Sequence, residues 1–280
     1  IIFILSTAAI NSVGQYTLHF IGVEPSILKE TQAKTIVNDS ISAIREVNRI
    51  ESALCAKGYL ISNVDSIHWL KNSVNIHLEI GEIFHWASIK KGNVEDIALI
   101  KSGYRSRILD QKAINAASIA KLHYSLITYY ENTGYPFASS KLTNVNYTGP
   151  YSLSAELNIN KGPLKRIDSI IVIGNAKISK IYLSNYIGIK QGSVYNQSKL
   201  SEIDAKLNAL RFTKATKSAQ VSFTKKYTKL YLFLDHVNSS QFNGILGILP
   251  DNNTGKVTIT GDAKIVLKNA FKKGELISLN

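Results

Sequence analysis

The feature that most limits what this chain can fold into is an internal repeat. Gly58-Tyr59 closes one helical segment and opens a strand-like one; Gly134-Tyr135 does the same, and Arg211-Phe212 marks a third copy, at spacings of 76 and 77 residues. A fixed period means one supersecondary unit used three times, so a reading of one copy must hold for the others. Each copy starts with a short alternating strand, at Tyr16 to Val23, Phe84 to Lys91 and Ile167 to Ile173. A helical region follows. Its last helix keeps one face apolar at 3.6 residues per turn: Val47, Ile50 and Leu54; Ile119, Leu122, Leu126 and Tyr129; Leu200, Ile203, Leu207 and Leu210. Asp110 and Asn196 are the expected N-caps of the later two helices.

Two strands then close each copy. Val74, Ile76, Leu78 and Ile80 alternate with polar residues, as a half-buried strand requires, and Leu153, Ala155, Leu157 and Ile159 repeat the pattern. Leu230, Leu232 and Leu234 form the third set, where Tyr231 and Phe233 make the other face apolar too. The expected fold class is α+β: three tandem β-α-α-β-β modules, each a three-stranded sheet backed by two helices. A sheet so small leaves an edge unpaired. The expected boundaries are 15–81, 82–162 and 163–236, with a different region at 237–280.

In that last region, Lys256, Thr258, Thr260, Asp262 and Lys264 alternate with Val257, Ile259, Gly261, Ala263, Ile265 and Leu267. A clean period-2 strand of about 11 residues is long enough to cross a bilayer at a tilt. Residues 240–249 before it are Gly-rich and apolar, residues 250–255 supply a turn, and a further strand begins at Leu276. A few membrane strands cannot stand alone in lipid, because every backbone group there must be paired in a closed barrel. The expectation is the start of a transmembrane β-barrel whose remainder lies beyond Asn280. At the other end, an apolar run from Ile1 to Ile10 precedes small residues at Ser12 and Gly14, and resembles the end of a secretory signal peptide over 1–14.

The motifs of the third copy resemble those of a known family. They are Ile170-Ile171-Val172-Ile173-Gly174-Asn175, Gly192-Ser193-Val194-Tyr195-Asn196 and Leu207 with Leu210-Arg211-Phe212; the second copy adds Tyr130-Glu131-Asn132-Thr133-Gly134-Tyr135. The pattern is similar to that of the POTRA-plus-barrel superfamily of outer-membrane assembly and translocation proteins, the BamA and TamA type, to which the two-partner-secretion transporters are related. Lys268 to Glu275 resembles the family's first barrel loop. The resemblance implies an outer-membrane protein with its modules in the periplasm, helping barrel proteins assemble; the alternatives are a pore for a dedicated secreted partner and a scaffold built on the modules alone. It implies unfolded outer-membrane or secreted polypeptides as partners, with accessory assembly subunits and outer-membrane lipid. Clients would add as strands to open sheet edges, gaining main-chain hydrogen bonds without demanding a sequence. The middle strand of each motif would supply that edge: Asn63, Asp65 and Ile67; Lys141, Thr143 and Val145; Ser218, Gln220 and Ser222. The first barrel strand, with Phe242, Gly244, Leu246 and Ile248, would form a weak seam, loosened by Gly244 and Gly247.

Other chemistries find little support. The net charge of +13 comes from scattered lysines, without the arginine stripe and interleaved aromatics of a nucleic-acid surface. His19, His68, His77, His85, His123 and His236 never fall at metal-ligand spacing, and there is no nucleophile elbow, Walker loop or paired-carboxylate motif. No catalysis, cofactor or metal is expected. Cys55 is the only cysteine, so no intrachain disulfide forms, and its helical, Ala-rich setting predicts a small buried hydrophobe.

Overall fold

Parallel pairing of the first and last strands organises each module. In the computed structural model, which describes residues 15–104, 110–238, 240–250 and 257–279, the first module runs β1 (Tyr16–Ile21), α1 (Pro25–Glu30), β2 (Ile36–Val37), α2 (Ser40–Ala56), β3 (Asn63–Trp69) and β4 (Ser73–Glu79). The proposed signal-peptide end, 1–14, lies outside the described residues. β1 pairs parallel with β4, Leu18 opposite Val74 and Phe20 opposite Ile76, while β3 pairs antiparallel on the far side of β4. Parallel neighbours need a crossover, and α1 and α2 provide it. Asp39 caps α2 by accepting from the Ser42 N–H at 2.6 Å. Ala43, Val47, Ile50 and Leu54 then bury one face of the helix with Leu18, Val74, Ile76 and Leu78.

The second module repeats the order with β5 (His85–Lys90), α3 (Asp96–Lys101), α4 (Ala116–Asn132), β6 (Ser139–Gly149) and β7 (Ser152–Asn160). Its sheet is β5-β7-β6, again with a parallel pair, and Leu153, Ala155, Leu157 and Ile159 are all buried. The third comprises β8 (Ser169–Ile173), α5 (Lys180–Ile187), α6 (Gln197–Ser201), α7 (Ile203–Ala209), β9 (Thr213–Phe223) and β10 (Thr228–His236), in the order β8-β10-β9. Ile203, Leu207, Leu210, Leu230, Leu232 and Leu234 share its core. The tail forms an antiparallel meander, β11 (Gln241–Pro250), β12 (Val257–Lys268) and β13 (Leu276–Leu279).

Four local readings need correction. The first sheet has four strands, because β2 makes two consecutive pairs with β1. In the other modules the same linker makes only one bridge, His85 to Ala113 and Arg166 to Val194. The helix expected across 197–210 is broken at Glu202 into α6 and α7, although Asn196 caps its start as expected, accepting from the Lys199 N–H at 2.9 Å. Asp110 does not cap α4; Asn115 does, five residues later, by accepting from the Ser118 N–H at 3.0 Å. Cys55 is exposed, because the buried stripe of α2 passes through Leu54 and turns its neighbour outward.

One threefold device is hidden from the residue spacing. Gly22, Gly92 and Gly174 end the first strands with φ of 86°, 53° and 116°. A Cβ at these positions would sit 2.3, 1.9 and 2.2 Å from the carbonyl oxygens of Leu78, Leu157 and Leu234, each on the last strand of the same module. Only glycine allows that approach. In two modules the next residue ties the same strands: Asn93 exchanges hydrogen bonds of 2.9 and 2.8 Å with the Ile159 backbone, and the Asn175 side chain accepts from the His236 N–H at 2.6 Å.

The chain divides into two compact units, 1–126 with 140–159 and 127–139 with 160–280. The cut passes through α4. The Gly134 carbonyl accepts from the Lys165 N–H at 2.8 Å, and Asn132 receives bonds from Asn196 and Ser198, which assigns the end of α4 to the second unit. Within the first unit the Gly58 carbonyl accepts from the Phe84 N–H at 2.9 Å in the same way.

Glu46 is a buried carboxylate in the first module. Burial pushes its carboxyl up, but Arg49 at 2.9 and 2.7 Å and the Lys34 N–H at 2.7 Å outweigh that and hold it below the ordinary value. The Arg49 guanidinium also donates to the Thr31 and Gln32 carbonyls, which anchors the α1–β2 linker to α2. A carboxyl depressed on folding stabilises above its unfolded value of about 4.3, and that contribution disappears as pH falls through the folded value. Urea unfolding of wild type and Glu46→Gln should therefore differ at pH 7 and converge by about pH 3. Gly92→Ala and Gly174→Ala should each cost at least about 2 kcal/mol in the same assay, with the α2 module unaffected.

Candidate functional site: the open sheet edges

Each proposed edge segment lies on an outer strand: β3, β6 and β9 have one strand neighbour each among the described residues. None of the three edges is regular. In β3 the register shifts between Val64 and Ser66, so Asp65 is a bulge. Asn63 is exposed opposite Glu79, whereas Ile67 is half-buried and packs on the core. The three residues therefore do not share one face, because an inserted residue reverses the alternation.

In β6 the irregularity is Asn144, which has φ of 52° and donates to Glu156 at 2.8 Å. Lys141 and Val145 are exposed on either side, and Thr143 is half-buried. In β9 Lys217 faces Phe233 and Gln220 faces Tyr231, leaving Ser218 and Ala219 opposite the single residue Leu232. The Ala219 N–H is satisfied by Asp204 of α7 at 2.8 Å. Bulges of this kind blunt a sheet edge in its middle and leave only a short regular stretch for pairing.

The polarity of the β9 backbone follows from its neighbours. The Asp168 N–H donates to the Thr228 carbonyl, so Thr228, Leu230 and Leu232 direct their backbones to β8. Lys229 and Tyr231 direct theirs to β9, where they face Ser222 and Gln220. Ser222 and Gln220 expose their side chains, but their backbone groups turn inward. The outward groups belong to Val221 and Phe223, which period-2 side-chain reading could not identify because it tracks the wrong atoms.

The meander has two distinct faces. Register puts Phe242, Gly244, Leu246 and Ile248 opposite Ile265, Ala263, Gly261 and Ile259, and β13 adds Ile277 and Leu279. Gln241, Asn243, Thr260, Asp262, Lys264 and Ser278 occupy the other face, with Ile245 and Val266 among them. Phe242, Ile248 and Ile259 are about 70% exposed, an apolar surface that no described residue covers. The Phe242 ring lies 3.5 Å from the Cβ position of Gly244, so the aromatic fills the gap that the glycine leaves in the strand.

The β12–β13 loop is fixed to the third module. Asn269, buried with φ of 57°, donates to the Lys177 carbonyl at 2.8 Å and accepts from the Gly274 N–H at 3.0 Å. The Ser179 N–H donates to the Lys272 carbonyl at 2.8 Å. Gly274 abuts Tyr182, and a Cβ there would lie 2.2 Å from the ring. Partial desolvation raises the Glu275 carboxyl, but the N–H groups of Phe271, Lys273 and its own residue more than offset this and leave it below the ordinary range. Burial first, then Tyr186 and Glu275, push the Tyr182 phenol up.

Among the described residues no group of three or more His, Cys, Asp or Glu is arranged to hold a metal ion, and no helix is long and apolar enough to cross a membrane, which says nothing of strands.

Comparison with known proteins gives two kinds of likeness. Residues 165–238 match the family model described as POTRA, surface antigen variable number repeat. The crystal structure of Haemophilus influenzae BamA POTRA3-5 superposes with a TM-score of 0.52 at 13% identity, covering 79% of this chain and 96% of that one. At that identity the likeness concerns the fold alone. The chromosomal replication initiator proteins DnaA of Borrelia turicatae (strain 91E135) and Borrelia hermsii (strain HS1 / DAH) are 25% and 24% identical over 227 and 226 residues. These stretches are 78% of this chain and 43% of each relative, so the chain spans less than half the length of the curated relatives it matches. Identity at that level assigns no family, and the three-module fold has its match elsewhere. Residues 165–238 therefore carry a POTRA-type module, and the fold along most of the chain is that of consecutive POTRA domains.

Proposed function

We propose that this chain is the periplasmic arm and first barrel strands of an outer-membrane factor that assembles other barrel proteins, of the BamA and TamA type. The single observation that carries this reading is the two-faced meander joined directly to the third module. β10 passes into β11 within five residues, and the apolar face of β11–β13 runs through three strands in register. A soluble sheet buries such a face against a second layer; a membrane strand turns it to lipid and its polar face to the barrel interior. β11 and β12, at ten and twelve residues, have the length to span a bilayer at a tilt.

The modules then act by strand addition. An unfolded client pairs with the outward backbone of Val221 and Phe223 and with the corresponding regular stretches of β3 and β6, beyond the bulges. Main-chain pairing accepts many sequences, which suits a factor with many clients, and the bulges keep the edges from pairing with one another. The partners are unfolded outer-membrane polypeptides and outer-membrane lipid, and the chemistry is non-covalent throughout.

Depletion of the protein should lower the amounts of many barrel proteins in the outer membrane. Val221→Pro removes one outward N–H and no ladder bond, and should reduce client crosslinking to β9 while leaving the circular dichroism of the chain unchanged. Loss of a single secreted polypeptide, with barrel proteins intact, would instead identify a dedicated secretion pore. Failure to sediment with the outer membrane would exclude both.

A further inference from the structure

The loop that locks the meander to the third module also walls a recess of about 350 Å³. Lys177, His236, Asn238, Ser240, Lys268 and Lys272 line it, and no carboxylate does. The nearby acids are engaged elsewhere. Asp235 accepts from the Asn175 N–H at 3.0 Å, and Glu275 accepts from the Phe271 and Lys273 amides. Among the described residues none of the three lysines has an ion-pair partner, so three cationic residues line one concavity that no carboxylate lines.

The His236 Nε2–H donates to Asn238 Oδ1 at 3.0 Å, which fixes the ring as part of one wall. The walls are also preformed. The buried Asn269 and the Ser179–Lys272 hydrogen bond hold the loop backbone in place, so the Lys268 and Lys272 side chains need not order the loop in order to converge.

We propose that this recess binds a phosphate group, and that the anion is the phosphodiester of a lipid headgroup or a free phosphate. Three lysine ammonium groups, a hydroxyl and an amide suit a tetrahedral polyoxyanion better than a planar carboxylate. The volume exceeds that of several waters at about 30 Å³ each, enough for a phosphate carrying a small polar substituent. The site stands at the end of β12, where the strand meets the third module, which is headgroup depth if the strands enter a membrane. That placement rests on the assembly reading above; the anion chemistry does not.

Calorimetric titration of the full chain in zwitterionic detergent separates the sources. The ligands are inorganic phosphate, a short-chain phosphatidylglycerol below its micelle concentration, and a diacylglycerol of the same chain length, which has no phosphate. Binding of both phosphate and phosphatidylglycerol assigns a general phosphate site; binding of phosphatidylglycerol alone assigns a lipid headgroup site. In either case Lys177→Gln with Lys272→Gln should weaken binding by about tenfold or more. The pair Lys214→Gln with Lys217→Gln removes the same charge from β9 and should change it little. Neither Lys177 nor Lys272 uses its ammonium to hold the loop, so protease resistance across 268–275 should persist in the double variant. The proposal is overturned by no binding of either anion, by the phosphate-free diacylglycerol binding equally well, or by equal loss in both double variants. Anion binding in a protein whose depletion leaves barrel proteins intact would keep the site and remove the assembly reading.

Discussion

Parallel pairing between the first and last strands of each module is the constraint from which the rest follows. A parallel pair cannot be closed by a tight turn, so each copy must carry a helical crossover between those strands. The last strand becomes central, and the middle strand is forced to an edge, as in β2-β1-β4-β3, β5-β7-β6 and β8-β10-β9. The glycines at 22, 92 and 174 permit that pairing to end where the chain must leave the sheet, since each passes over a last-strand carbonyl at a distance no side chain tolerates. Open edges are thus a necessary product of the topology. The bulges at Asp65 and Ser218–Ala219 and the left-handed backbone at Asn144 restrict how much of each edge is available.

Much of this was legible in the sequence because it depends on periodicity. The buried rows 74–80, 153–159 and 230–234 alternate without interruption, and the stripe through Val47, Ile50 and Leu54 faces the core where the spacing puts it. The α+β repeat followed from those two periods alone. What the sequence did not reveal depends on single hydrogen bonds or single inserted residues. Asn115 rather than Asp110 caps α4, and a bulge at Asp65 separates Asn63 from Ile67. The Gly-Asn device stands out at 174–175 but not at 92–93, because the linker between first strand and Gly-Tyr mark varies in length. The resemblance points to the middle strands as edges but not to which backbone groups face outward; in β9 these belong to Val221 and Phe223 rather than to Gln220 and Ser222.

The third module differs from the first two in how it ends. Its last strand leads into a sheet with no helical layer, and the β12–β13 loop returns to grip the module through Asn269, Lys272 and Gly274. A hinge would let the module swing freely; this loop ties its position to the meander and creates the cationic recess in doing so. The β9 edge, the locked loop and the apolar face therefore fall within one compact unit.

The most direct test is the environment of β12, read residue by residue. Single cysteines at Ile259, Thr260, Lys264 and Ile265, placed in a Cys55→Ser background, can be probed in native membranes with a water-soluble thiol reagent and a lipid-phase quencher. The account predicts period-2 behaviour: positions 259 and 265 quenched from lipid and protected from the aqueous reagent, positions 260 and 264 the reverse. Equal aqueous labelling at all four positions would contradict it.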